Sequence, residues 1–326
     1  MKLIPGPKAW PLWSAQALNA EQTRHMAFFP QRTTSKMLAK WSALAVGLLV
    51  LVFAVIVIVG SSRQRTMADQ LVEALLQSAT RTRVSLVAFS SLEGLPPPVA
   101  RYLAHVLKDG QRLIKTARMR QIGELRVDME NDNWSSFTAT QVAVPGAPGF
   151  VWKAKVALPV LTHVFVVDSY VAGTGAGHVR LLSTFTIAAE SGRPELNSGA
   201  LHRYLAEAVW YPTALLPESG VQWTPVDNTT ALATLTDRGT TISLQFRFND
   251  DGEVTAIYTP GRYGRFDGEY RQAPWEGHFR NYELRDGMRV PTYGEVAWYI
   301  SGIRQTVWKG RLVEAAYELA PLQTDR

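Results

Sequence analysis

Glu207 is the residue in this 326-residue sequence whose surroundings best suit acid or base chemistry. It lies in a predicted helix with Tyr204, Trp210 and Tyr211, and a carboxylate held among aromatic rings can have a raised pKa. The other role open to Glu207 is an ion pair with Arg203, four residues earlier on the same helix. We favour the ion pair because charged pairs at this spacing are common on helices.

The histidines do not form a recognisable metal or catalytic motif. None has the HExxH or His-x-His spacing of a metal site, and His163 and Asp168 are five residues apart, which places them on opposite faces of a strand. The chain contains no cysteine, so thiolate ligands and cysteine nucleophiles are excluded. We therefore predict no metal site, and ordinary core or surface roles for His25, His105, His163, His178, His202 and His278.

The glycine-rich run GTGAG at 173–177 is the remaining candidate for cofactor binding. It matches neither GxGxxG nor a P-loop, and it lies between two predicted strands rather than between a strand and a helix. A hairpin turn is the better interpretation, so we predict no cofactor. No G-x-S-x-G motif of serine hydrolases occurs either. These observations leave enzymatic activity open but favour a binding role.

Alternating apolar and polar residues predict that most of the chain forms β-strands. The alternation begins at about residue 118, and Arg238-Gly239, Asp251-Gly252 and Asp286-Gly287 separate alternating runs near the C-terminus. Successive hairpins produce an antiparallel meander. We predict an α+β fold in which a large, curved, open-barrel-like antiparallel sheet packs with a few helices.

Two helices are predicted to accompany this sheet. The first covers residues 94–110, with prolines at its start and Gly110 as its stop. The second begins with Asn197 or Ser198 as its N-cap, and Pro212 should end or kink it.

The segment from Trp41 to Gly60 contains twenty residues without a charge and is apolar on all sides. About 20 residues of helix cross the hydrocarbon core of a bilayer. Six Lys or Arg residues precede this segment, whereas only Arg63 and Arg65 occur in the first twenty residues after it. The positive-inside rule therefore predicts a cytoplasmic N-terminus and places residues 61–326 outside the cytoplasm. Because the basic excess lies beside the membrane segment, we predict no nucleic-acid binding.

These patterns divide the chain into four parts. Residues 1–40 are predicted to be a poorly ordered basic cytoplasmic tail, 41–60 a transmembrane helix, 61–90 a membrane-proximal helix, and 91–320 a single extracytoplasmic β-rich domain.

Several segments resemble a bacterial family of unknown function. They are LPPPVARYL at 95–103, FTATQ at 137–141, RYLAEAVWYPTALLP at 203–217, LTDRGTTISLQFRF at 235–248, and PWEGHF at 274–279 with DGMRVPTYGEVAW at 286–298. The resemblance covers roughly residues 90–317. It implies a bacterial inner-membrane protein with a periplasmic domain, and it transfers no catalytic residue.

The pattern Phe279, Tyr282, Asp286-Gly287 and Val290-Pro291 resembles lipoprotein carriers of the LolA/LolB type. This resemblance implies a curved sheet that encloses helices and holds acyl chains in its concavity. The chain has no lipobox cysteine, unlike the lipoprotein members of that group.

The sequence therefore predicts a membrane-anchored protein that binds a lipid, lipoprotein or other amphiphile in a cavity of the sheet. The alternatives are a membrane-anchored hydrolase or transferase that uses Glu207 and a histidine, and an envelope interaction module. The candidate ligand-binding residues are Trp152, Tyr204, Glu207, Trp210, Tyr211, Trp223, Trp275 and Trp298.

Overall fold

A computed structural model of the chain describes residues 31–78, 86–126, 132–160 and 162–321. The chain comprises two compact units, Met1–Phe53 and Ala54–Arg326. In the first unit the described residues form part of helix α1, which runs from Gln31 to Ser78 and continues into the second unit. The second unit contains the remaining helices and all described strands.

Helix α1 is the one described helix that is long and apolar enough to cross a membrane, by length and composition, and its most apolar stretch is not buried by the rest of the chain. Helix α1 is continuous through the predicted transmembrane helix 41–60 and includes residues on both sides of it. Residues 31–40 belong to the helix rather than to a tail, and the predicted helix 61–90 ends at Ser78. The predicted disorder of residues 1–30 concerns residues outside the described part of the chain.

The sheet contains thirteen antiparallel strands in the order β6-β5-β4-β3-β2-β1-β13-β12-β11-β10-β9-β8-β7, curved into a half-barrel. Strands β1 to β6 form one meander and β7 to β13 a second, and the pairing of β1 with β13 joins them. The large antiparallel sheet predicted from the sequence is therefore confirmed. The strands are β1 Ile114–Arg126, β2 Trp134–Val144, β3 Gly149–Leu158, β4 Thr162–Val171, β5 Thr174–Leu181, β6 Phe185–Ser191, β7 Val221–Pro225, β8 Thr230–Asp237, β9 Thr240–Phe248, β10 Val254–Phe266, β11 Glu269–Arg285, β12 Met288–Ile300 and β13 Ile303–Leu319.

Two-residue turns ending in glycine connect many of the strands. Arg238-Gly239 and Asp286-Gly287 both have positive φ at each residue, as type I′ hairpins require, so these predicted turns are confirmed. Asp251-Gly252 lies in a longer turn between β9 and β10. In the run GTGAG only Gly173 is part of a turn, while residues 174–177 begin β5. Gly175 in that strand lies against the backbone of Leu196, where a Cβ atom would clash.

Helix α2, Pro97–Val106, forms within the predicted range 94–110, but it ends with Leu107 as its C-cap, so Gly110 is not its stop. Helix α3, Pro194–Glu207, begins earlier than predicted. Arg193 is its N-cap and makes no side-chain cap bond. Asn197, one of the two predicted caps, instead accepts a hydrogen bond from the backbone N–H of Gly175 at 2.8 Å. The helix ends five residues before Pro212, and short 3₁₀ helices carry the chain onward to Ser219.

Helix α3 packs on the concave face of the sheet, against β3, β4, β5, β9 and β10, where the larger apolar core lies. A smaller core lies on the opposite face. There Ala68 and Leu75 of α1 pack against Val142, Val151 and Val167 of β2 to β4. Because side chains alternate along a strand, these valines point away from α3.

A candidate binding cavity on the concave face

A cavity of about 340 Å³ lies between α3 and the concave face of the sheet. Its walls are largely aromatic, as is common for sites that bind small apolar ligands. The indole of Trp210 lies 6.1 Å from the ring of Phe279 and 6.3 Å from that of Trp308. The aromatic lining residues are Trp152, Trp210, Trp275, Phe279 and Trp308.

Arg203 is the central charge of the cavity wall. Its Nε lies 2.8 Å from Oε1 of Glu207, and its Nη1 lies 3.0 Å from Oδ2 of Asp168. The ion pair predicted from the helical spacing of Arg203 and Glu207 therefore forms. The guanidinium also lies 4.8 Å from the ring centre of Trp152, within the range of a cation–π contact. Burial lowers the pKa of Arg203, but the two carboxylates outweigh it and hold the pKa above its ordinary value.

The second oxygen of Glu207 ends a chain of side-chain hydrogen bonds. Trp152 Nε1 donates to Gln121 at 2.9 Å, Gln121 donates to Gln141 at 3.3 Å, and Gln141 donates to Oε2 of Glu207 at 2.6 Å. Every partner of Glu207 is thus a donor, which suits an ionised carboxylate. The arrangement fixes Glu207 in place as an acceptor.

No histidine is among the hydrogen-bond partners found for Glu207 in the described residues. His202, on the same helix, is buried and bonds through Nδ1 to the carbonyl of Ser198 at 2.9 Å. Burial lowers its pKa to about 4. His163 lies instead 3.0 Å from the hydroxyl of Ser183. The glutamate–histidine pair of the enzymatic alternative is therefore not formed in this part of the chain.

Arg262 of β10 also lines the cavity but is partnered differently from Arg203. Its Nε and Nη2 donate to the carbonyl of Gly199 at 3.1 and 3.0 Å, and its guanidinium lies over Trp275 and Trp298. It forms no salt bridge with a described carboxylate. Burial, followed by repulsion from Arg203, lowers the pKa of Arg262 to about 10. The arginine remains charged at neutral pH.

The indole N–H of Trp275 is a further polar group of the cavity wall that lacks a hydrogen-bond partner among the described residues. Its indole nitrogen Nε1 is buried and has no hydrogen-bond partner within the described structure. An unpaired buried donor costs about 1–3 kcal/mol, so a ligand that offers an acceptor here would gain stability.

Four of the residues proposed from the sequence line the cavity, namely Trp152, Glu207, Trp210 and Trp275. Tyr204 and Tyr211 are fully buried in the core, where the hydroxyl of Tyr211 donates to the carbonyl of Tyr204 at 2.7 Å. Trp298 lies behind Trp275, with their ring centres 6.3 Å apart. Trp223 packs elsewhere against Phe246 and Phe248, and donates to the carbonyl of Leu215.

Sequence reasoning did not propose Asp168, Arg262, Phe279 or Trp308 as members of the cavity wall. Each lies on a strand whose alternation was visible, so its face could have been assigned. No local signal shows that β4, β10, β11 and β13 meet around α3.

The described residues contain no group of three or more His, Asp or Glu side chains that could hold a metal ion.

The chain belongs to a family of unknown function, DUF6920, whose profile matches residues 93–317. This confirms the family resemblance found in the sequence. No curated protein shows significant sequence similarity to the chain.

The fold is similar to that of several solved bacterial structures. A putative outer membrane lipoprotein-sorting protein domain from Vibrio parahaemolyticus is 9% identical, with a TM-score of 0.39 over 70% of this chain and 93% of that one. A LolA-superfamily protein from Nitrosomonas europaea is also 9% identical, with a TM-score of 0.39 over 72% and 96%. A DUF1329 protein from Desulfovibrio piger is 12% identical, with a TM-score of 0.38 over 77% and 95%.

Proposed function

We propose that this protein is anchored in the bacterial inner membrane by α1 and binds a lipid or another amphiphile in the concave-face cavity. The observation that carries the proposal is the composition of the cavity wall. Five aromatic side chains enclose it, and Arg262 and the unpaired N–H of Trp275 lie beside them. An amphiphile matches this wall because it offers both an apolar body and a polar acceptor.

The size of the cavity restricts the ligand. About 340 Å³ lies near the lower end of the volumes of ligand sites. The cavity therefore suits a small amphiphile, or the polar end and first carbons of a longer one. Arg203 forms salt bridges with Asp168 and Glu207, whereas Arg262 forms none with a described carboxylate, so we expect Arg262 to contact the polar group of the ligand.

The proposed membrane topology of the protein rests on charge and hydropathy. The apolar stretch of α1 is long enough to span a bilayer, and the basic residues before it favour a cytoplasmic N-terminus. The domain that follows Gly60 would then lie in the periplasm, where a bound amphiphile is close to the membrane that supplied it.

The experiment fills the cavity without disturbing its polar contacts. The full-length protein is extracted in native lipid discs, and the bound molecules are identified by native mass spectrometry and solvent extraction. Val296→Trp places an indole in the cavity, because Val296 is one of the residues that line it. Ile303→Trp adds the same group at an exposed position of β13.

We expect one amphiphile in the cavity of each wild-type protein, and the same in Ile303→Trp. In Val296→Trp we expect its occupancy to fall about tenfold or more, a change of about 1.4 kcal/mol in binding free energy. An empty wild-type cavity, or equal occupancy in all three folded proteins, would refute the proposal.

A further inference from the structure

A second recess lies on the outside of the molecule, between α1 and the hairpin formed by β5 and β6. We call it the outer groove, and its volume is about 500 Å³. All of its residues belong to the unit Ala54–Arg326. It is lined by Val55, Ile56, Val59, Gly60, Arg63, Arg180, Thr184 and Thr186.

Direct contacts hold the helix and the hairpin together at this groove. The hydroxyl of Thr184 lies 3.2 Å from the backbone carbonyl oxygen of Val57 and 3.0 Å from that of Leu182, so its single proton is shared between these two acceptors. Gly60 lies so close to Thr184 that a Cβ atom at this position would clash with its side chain. The hairpin therefore touches the helix within the last four residues of the apolar segment 41–60. If that segment spans the bilayer, this end of the sheet lies at the level of the lipid headgroups.

The two walls of the groove differ in chemistry. Val55, Ile56 and Val59 are about half exposed and provide an aliphatic surface on α1. Residues 56, 59 and 63 lie on one face of a helix because they are three or four positions apart. Arg63 is therefore located just beyond the aliphatic surface, and Arg180 faces it from β5.

The two arginines have no carboxylate partner. Neither Arg63 nor Arg180 forms a salt bridge with any carboxylate in the described ranges. The Nε of Arg180 is moreover buried without a hydrogen-bond partner. A buried donor on a charged group destabilises the protein when it has no partner, so an acceptor is expected there. Phosphate oxygens are well suited, because the guanidinium fork binds them through two parallel hydrogen bonds.

We propose that the outer groove binds one membrane phospholipid, with its phosphate between Arg63 and Arg180 and an acyl chain along Val55, Ile56 and Val59. This inference rests on the membrane-anchoring part of the proposed function, but it does not depend on the cavity. Ile187 of β6 and Val160 of the β3–β4 turn lie at the same end of the sheet and are exposed. Contact with the bilayer surface would cover both.

The test uses the full-length protein in native lipid discs made from bacterial membranes. Arg180→Gln and Arg63→Gln each remove one proposed phosphate ligand. Arg65→Gln is the matched control, because it removes the same charge from the same helix outside the groove. After exchange into detergent, the phospholipid retained by each variant is measured by native mass spectrometry.

We expect retention of phospholipid to fall about tenfold in Arg180→Gln and Arg63→Gln and to stay at the wild-type value in Arg65→Gln. The Arg63 side chain is exposed, so its substitution should not unfold the protein. Equal retention of phospholipid in wild type and Arg63→Gln would therefore overturn the site. An equal fall in Arg65→Gln would overturn it too, since general attraction to anionic lipid would then explain the binding. Release of the lipid by millimolar inorganic phosphate would assign the groove to free phosphate instead.

Two parallel readouts separate this proposal from the proposed function. If the wild-type protein does not fractionate with membranes, the anchor fails and the groove site fails with it. A second outcome would refute the groove site alone. In that outcome the protein is membrane-bound, and Arg180→Gln retains both the cavity ligand and the groove lipid. Val296→Trp should lose the cavity ligand and keep the groove lipid.

Discussion

The concave-face cavity and the outer groove are both lined by arginines, but the charges of Arg203 and of the groove arginines are balanced in different ways. In the cavity, Arg203 binds Asp168 and Glu207 at distances of 3.0 and 2.8 Å. In the groove, Arg63 and Arg180 have no carboxylate from the described part of the chain. A buried donor requires a partner, and the Nε of Arg180 is buried without one in the described structure. The protein supplies that partner itself in the cavity, whereas in the groove we infer that the membrane supplies it.

Arg262 is intermediate between these two situations. Two of its nitrogens bind a backbone carbonyl, and two tryptophan rings lie against its guanidinium. Those contacts orient the side chain without neutralising it. The comparison indicates that Arg203 mainly stabilises the fold, that Arg262 is available to a cavity ligand, and that Arg63 and Arg180 act in lipid contact.

The largest expected effect is that of Arg203→Met. The substitution leaves Asp168 and Glu207 without their shared cation, so we expect the free energy of unfolding to fall by roughly 3 kcal/mol. Urea unfolding of the full-length protein in micelles measures this change. Arg120→Met is the control, because its ion pair with Glu314 is exposed on both sides and should contribute less than about 1 kcal/mol. Similar losses in the two variants would contradict the assigned role of Arg203.

Acidification should destabilise the wall of the cavity through His202. The pKa of this histidine is about 4 in the folded protein because of burial, against an ordinary value of 6.5. Between these values the unfolded chain binds the proton and the folded protein does not, so stability falls as the pH falls. The difference in pKa corresponds to about 3 kcal/mol between neutral pH and pH 4.

His202→Gln removes this titration, so the pH dependence of its urea unfolding should be flatter by that amount. If wild type and His202→Gln lose stability in parallel on acidification, His202 is not the group responsible.

The smallest expected effect is that of Thr184→Val at the outer groove. The substitution keeps the shape of the side chain but removes the hydroxyl whose proton is shared between the carbonyls of Val57 and Leu182, so we expect a loss of about 1 kcal/mol or less. Proteolysis at the β5–β6 turn should become faster, because the hairpin separates from α1 more often. Thr236→Val, which removes an exposed hydroxyl pair on β8 and β9, is the control and should leave that turn as protected as in wild type. Equal cleavage in both variants would show that this hydrogen bond does not hold the hairpin.

Local patterns were sufficient for the features that depend on neighbouring residues. The type I′ turns at Arg238-Gly239 and Asp286-Gly287 follow from the glycine at the second turn position, which adopts positive φ without strain. The Arg203–Glu207 pair follows from helical spacing. The start of α3 was predicted wrongly because Asn197 has the side chain of an N-cap but hydrogen-bonds to β5 instead. The free energy gained from an N-cap side chain is smaller than that gained from packing a whole helix against a sheet.

Periodicity and turn chemistry are local properties, so the apolar helix, the antiparallel meanders and the face on which each strand residue lies can be predicted from the sequence. The pairing of β1 with β13 joins strands that are far apart in the chain, and it is visible only in the folded protein. This pairing places Trp308 of β13 in the same cavity wall as Trp152 of β3 and residues of α3, and the curvature of the sheet adds Asp168 and Arg262. Alternation assigns a side chain to a face but does not select its distant partners. That selection depends on burying both meanders around one core, which is a property of the whole chain.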